Sequence, residues 1–162
     1  MIARGIIAML ICTLLSVASP SPVQGLTLLA RDMGFTCRVG IIQSDHEYAT
    51  YNPLTKHIDI AVMTILSDPE FLHAILAHEV EHDKVLQLYL KPNSLLPKIE
   101  KLAPLGSIRN EILKYCQDPD AYLVITETFA HIAFLYSLGD LAGIPNEWLR
   151  AYYSINSFQE KK

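Results

Sequence analysis

The stretch HIDIAVMTILSDPEFLHAILAHEVEHDKVLQLYL, residues His57 to Leu90, decides the fold. Its first seven residues, His57 to Met63, alternate as a half-buried strand does. Ser67-Asp68-Pro69-Glu70 then carries a helix-start signal: Ser or Asp as N-cap, Pro in the first turn, and an acidic side chain at the positive end of the helix dipole. The periodicity predicts a helix running to about Leu90, before Pro92. Inside that helix lies Ala77-His78-Glu79-Val80-Glu81-His82.

Working outward, Gln24 to Met33 has apolar residues at near-helical spacing and ends at Gly34, which predicts a short helix. Phe35 to Ile42 and Glu47 to Tyr51 are rich in strand formers and flank the turn-prone Ser44-Asp45-His46. With His57 to Met63 they make a small three-stranded antiparallel meander. Beyond the quoted stretch, Lys91 to Leu105 is a polar connection and Ser107 to Gln117 a shorter helix. Asp118-Pro119-Asp120 restarts the chain into a long apolar helix ending near Gly139, and Glu147 to Ser157 is a last amphipathic helix. The fold class is therefore α+β, with the meander packed on two long helices.

The chain has 162 residues, 51% of them apolar and 19% charged, with a net charge of −4. That much apolar surface excludes a disordered protein, and the length fits one domain. Lys and Arg are scattered, with no basic run longer than Lys161-Lys162, so no nucleic-acid partner is expected. Arg4 precedes an uncharged stretch from Gly5 to Ala18, the length of a signal-peptide core and short of a bilayer span. Ser16 and Ala18 supply small residues at −3 and −1, placing a signal at 1–18, one domain at 19–162, and the mature protein outside the cytoplasm, secreted or periplasmic. An uncleaved signal anchor is the competing arrangement; after cleavage no stable anchor is left. Cys12 leaves with the signal. Cys37 and Cys116 then form either one disulfide or two buried thiols.

Residues four apart on a helix share a face, so His78 and His82 can converge on one metal ion. Glu79 is rotated by about 100° from His78. It is poorly placed as a ligand but well placed to take a proton from water at the ion's open position. The competing reading is a solvated face whose histidines happen to be four apart. A catalytic zinc needs a third protein ligand, and no further His follows in the same segment. Ala121 to Tyr136 is apolar almost all round, with Glu127 and His131 its only ionisable groups apart from its tyrosines. A helix this apolar is normally buried, and a buried carboxylate needs a cation or donors facing it. Glu127 is thus the leading third ligand, with Asp118, Asp120, Glu111 and His131 competing. A carboxylate at the edge of the buried face, reaching water or pairing with His131, is the alternative. His73 sits off the metal face, about 140° from His78.

These residues carry a resemblance. The run from His57 to Leu90, with His78-Glu-Val-Glu-His82 on its helix, resembles the core of gluzincin metallopeptidases, the M48-like group and its single-domain minigluzincins above all. Glu127-Thr-Phe-Ala130 is similar to their downstream Glu-x-x-Ala signature. The resemblance spans about residues 35 to 138. It implies a zincin-like fold, one Zn2+ held by His78, His82 and Glu127, and peptide or protein substrates hydrolysed by zinc-activated water with Glu79 as general base. It also implies that one strand of the meander, that of His57 to Met63, pairs with extended substrate. The family often has Gly where this chain has Glu81, and usually has Asp where this chain has His131. His131 therefore stands either as a residue orienting a ligand histidine or as an oxyanion donor. Tyr136 and Tyr122 are the tyrosines nearest in sequence for an oxyanion role, against the plainer role of core side chains.

Other classes compete with an exported zinc peptidase. A catalytically inactive zincin-like protein would use the same ligands for stability or partner binding, and a fourth protein ligand such as Asp120 or His131 would mark it. Glu79-Val-Glu-His82 also contains the Glu-x-x-His of di-iron bundles, but the other copy, Glu70-Phe-Leu-His73, lies on the same helix. A plain domain without metal is the last alternative.

Overall fold

A computed structural model describes residues 21–36, 38–90 and 120–157. The order of elements among them is helix α1 (Pro22–Asp32), strands β1 (Arg38–Ile42), β2 (Ala49–Asn52) and β3 (His57–Ala61), a helical turn α2 (Val62–Ile65), and helices α3 (Pro69–Tyr89), α4 (Ala121–Leu138) and α5 (Asn146–Ser157). The expected signal segment, the helix over 107–117, Cys37 and Cys116 lie outside the described residues. No helix among those described is long and apolar enough to cross a membrane.

The α+β class stands, but the sheet is mixed, not an antiparallel meander. Its order is β1-β3-β2: β2 pairs antiparallel with β3, whereas β1 lies parallel to β3 on the other side. Burial explains the order. Ile58, Ile60 and Ala61 of β3 are almost wholly buried, so the strand with most to hide takes the middle, and the half-exposed β1 and β2 become edges. The parallel register Val39↔Ile58 and Ile41↔Ile60 collects the apolar side chains on one face. The third strand is also shorter than its alternation predicts. It stops at Ala61 because Thr64 donates its hydroxyl to the Tyr48 carbonyl at 2.6 Å, and a helical turn leaves Met63 exposed.

Helices α3 and α4 begin and end as their sequence signals dictate, whereas α1 starts earlier than expected, at Pro22 behind a Ser21 cap. Asp68 caps α3 by accepting from the Glu70 amide at 2.7 Å, and Asp120 caps α4 by accepting from the Leu123 amide at 2.7 Å. Gly139 ends α4 at φ +75°, a left-handed conformation that lets the Asp140 amide reach back to the Leu135 carbonyl.

Helix α3 is packed on two sides. Leu72, Leu76 and Val80 join Leu26, Ala30, Phe35, Val39, Ile58 and Ile60 in a cluster between the sheet, α1 and α3. Val85 joins Ile125, Phe129 and Ile132 of α4 with Trp148, Tyr152 and Ile155 of α5 in a second. Phe129 meets the Trp148 ring edge-on, with centroids 5.4 Å apart. Replacing Phe129 by Ala empties the centre of the second cluster and is expected to cost about 3 to 5 kcal/mol. Urea denaturation followed by circular dichroism measures it, and a loss under 1 kcal/mol, on the order of a surface substitution, contradicts this packing.

Candidate metal centre

His78 and His82 fall on the α3 face turned toward α4, and Glu127 projects from the α4 turn opposite them. The two imidazole Nε2 atoms face each other at 3.2 Å. Glu127 sets one carboxylate oxygen 3.7 Å from the His78 Nε2 and the other 3.6 Å from the His82 Nε2. The three donors lie within 4.8 Å of one another and can hold a metal ion. Ligand nitrogens on a tetrahedral zinc stand about 3.3 Å apart, given bonds of about 2.0 to 2.1 Å. The nitrogen spacing therefore fits, and two imidazoles with one carboxylate are a borderline donor set that suits zinc.

The protonation chemistry agrees. Burial, with the neighbouring His131 charge, pushes His78 down to about 4, while the Ala130 carbonyl, accepting from the His78 ring, pulls weakly the other way. Burial and His78 push His82 down to about 3. Both rings are neutral at ordinary pH and have a lone pair to offer. The His82 Nδ1 lies 2.9 Å from the Thr126 hydroxyl. With Nδ1–H donating to that oxygen, the lone pair is on Nε2, toward His78 and Glu127. Glu127 itself is pushed upward by burial.

Glu79 stands beside the cluster, and burial raises its carboxyl to about 8, with the Glu127 charge adding to the shift. The Tyr51 backbone amide donates to that carboxylate and opposes the rise. Tyr51 is the residue that the sequence did not single out. Its ring lies parallel to that of His82, with centroids 6.4 Å apart, and its hydroxyl donates to Asp83 Oδ1 at 2.6 Å. One edge-strand residue thus touches Glu79, His82 and Asp83. An aromatic in a strand run is too common for the sequence to have flagged it.

A cleft of about 370 Å³ opens over the cluster, with Thr50, Tyr51 and Pro53 on one wall and Tyr122, Leu123 and Thr126 on the other. Other expected residues fall elsewhere. Asp120 is spent capping α4, and Asp118 and Glu111 lie outside the described residues. His131 is one turn beyond Glu127, near enough for its charge to act on His78, and stacks on Phe134 with centroids 6.2 Å apart. It is not in the three-donor cluster; Thr126 lies against the His82 ring, and the Ala130 carbonyl accepts from the His78 ring. Tyr136 lines a separate cavity of about 400 Å³ with Tyr152 and Tyr153, whereas Tyr122 lines the cleft. His73 lines that second cavity too, off the metal face as its spacing predicts.

Glu81 is wholly buried behind the cluster. The Lys84 ammonium lies 3.5 Å from it, and the Asn156 amide donates to its other oxygen at 3.3 Å. Asn156 in turn accepts from Lys84 at 3.1 Å. Glu81 is therefore a tie from α3 to α5. Comparison of the chain with protein-family models, curated proteins and solved structures finds no match.

The arrangement predicts a graded metal response. Glu127→Ala removes a donor and should abolish tight binding of Zn2+ or Co2+. Thr126→Val removes only the partner of His82 Nδ1 and should weaken binding by about 10 to 100-fold. Competition against a chromogenic chelator checks both, and unchanged affinity in Glu127→Ala would remove Glu127 from the ligand set.

Proposed function

We propose that the protein is an exported zinc-dependent metallopeptidase of gluzincin type. The observation that carries this reading is the convergence of His78, His82 and Glu127 with the Glu79 carboxyl beside them, in a cleft walled by an edge strand. Three protein donors without a fourth among the described residues are what an open, catalytic site has, and closed structural sites have four. When bound, the ion would polarise a peptide carbonyl and lower the pKa of water toward about 7.

The chain's own residues would do the rest. His78, His82 and Glu127 hold the ion, and Thr126 and the Ala130 carbonyl keep the two rings turned toward it. Glu79 accepts the proton of the attacking water and returns it to the leaving amine. Extended substrate backbone would lie along β2. The expectation that the His57 strand pairs with substrate is corrected here, because β3 is hydrogen-bonded on both sides and has no edge to offer. The Tyr51 amide, bonded to Glu79 in this structure, faces the cleft on the β2 side.

The alternative is an inactive zinc-binding protein with the same ligands, and one substitution separates the two. Glu79→Gln should keep one zinc per chain yet cleave a quenched-fluorescent peptide library about 10²- to 10⁴-fold more slowly than wild type. Equal cleavage by both proteins would remove the general base. A zinc-loaded wild type that cleaves nothing leaves the inactive reading.

A further inference from the structure

The described Lys and Arg are Arg31, Arg38, Lys56, Lys84 and Arg150, in a chain of net charge −4. Lys84 is committed to Glu81. Arg31, Arg38 and Lys56 all line one open groove of about 840 Å³, between α1, the start of β1 and the β2–β3 turn. His57 lines the same wall, and Thr36 and Thr55 add hydroxyls. No Asp or Glu lines the groove, and none of the three cations forms an ion pair among the described residues.

The groove is assembled by three separate pieces of chain. The parallel register sets Arg38 beside His57. His57 is held by Asp59, whose Oδ1 lies 3.0 Å from its Nε2, and the pair crosses over Gly40 so closely that a Cβ there would meet both at 2.5 to 2.6 Å. Lys56 sits at φ +50°, at the corner of the turn, and lines the same groove. Like charges gathered on one face repel one another unless an anion joins them. The two guanidinium groups and the ammonium that line the groove offer donors suited to the oxygens of a tetrahedral oxyanion, which guanidinium forks bind in pairs of hydrogen bonds.

We propose that this groove is a binding site for a phosphate-type oligoanion, either a soluble phosphorylated compound or the headgroup of an anionic phospholipid. The site is separate from the metal cleft and stands whether or not the chain is a peptidase. The same β2–β3 turn borders both, with Pro53 on the cleft and Thr55 to His57 on the groove.

The purified full chain would be titrated calorimetrically with inorganic tripolyphosphate at low and at high salt. It would also be floated with vesicles of phosphatidylglycerol in phosphatidylcholine, against phosphatidylcholine alone. Binding should fall with salt. It should weaken about tenfold or more in Arg31→Gln/Arg38→Gln, since charge-assisted hydrogen bonds are lost, and stay unchanged in Arg150→Gln. Tripolyphosphate binding without flotation marks a soluble ligand; flotation without tripolyphosphate binding marks a headgroup. Lys56→Asn is the second variant, because Asn tolerates positive φ and so keeps the turn; it too should bind more weakly. Unaltered melting temperature and metal uptake show that the variants fold. Neither probe binding wild type, or folded variants binding as wild type does, overturns the proposal.

Discussion

Everything in this structure depends on α3 being packed from two sides. An apolar cluster with the sheet and α1 covers one flank, and a second with α4 and α5 covers the other. A helix so placed has little solvent for its polar side chains, yet this one carries His78, Glu79, Glu81, His82 and Asp83 in succession. Buried polar groups must find partners or cost several kcal/mol each, and each of these has found them. His82 uses Thr126, His78 uses the Ala130 carbonyl, Glu79 uses the Tyr51 amide, Glu81 uses Lys84 and Asn156, and Asp83 uses Tyr51. The arrangement of α4, α5 and β2 around α3 is in this sense the set of answers to five polar residues on one buried helix.

The partners differ in what they leave over. Glu81 is matched by a cation and an amide, a closed arrangement that ties two helices. The His78, His82 and Glu127 group is not closed: two neutral rings present lone pairs to one another and to a carboxylate that burial drives toward protonation. Removing a charge from water without a countercharge is unfavourable, and a divalent cation would relieve it for all three residues together. This contrast between a satisfied cluster and an electron-rich one, a few residues apart on the same helix, supports the proposed metal site without appeal to the motif.

What was legible in the sequence follows the range of the interactions involved. Helix limits depend on neighbours within four residues, and so Asp68, Asp120 and Gly139 could be read in advance. The His78 and His82 pair is equally local. Glu127 was legible for a different reason: a lone carboxylate on an apolar helix requires an explanation wherever the helix packs. The strand order was not legible, because alternation tells which face a residue takes but not which strand lies in the middle. Tyr51 and Thr126 were missed on similar grounds, since nothing within their own segments marks a partner 32 or 44 residues away. Glu81 was noticed only as a departure from a family pattern, while its role in joining α3 to α5 depends on Asn156, 75 residues on.

The donor set also has a folding history written into it. Two of its members are one turn apart and come together as soon as α3 is wound, a process of about a microsecond in isolated helices. The third arrives from another helix, so it joins only when α4 docks and the long intervening chain has closed its loop, which is the entropically slow part of assembly. Two of the three donors are thus present early and bind weakly, and completion of the set coincides with tertiary packing. Affinity for a cation would then rise in step with α3–α4 docking, making an ion that prefers the finished site a latch on the last stage of folding.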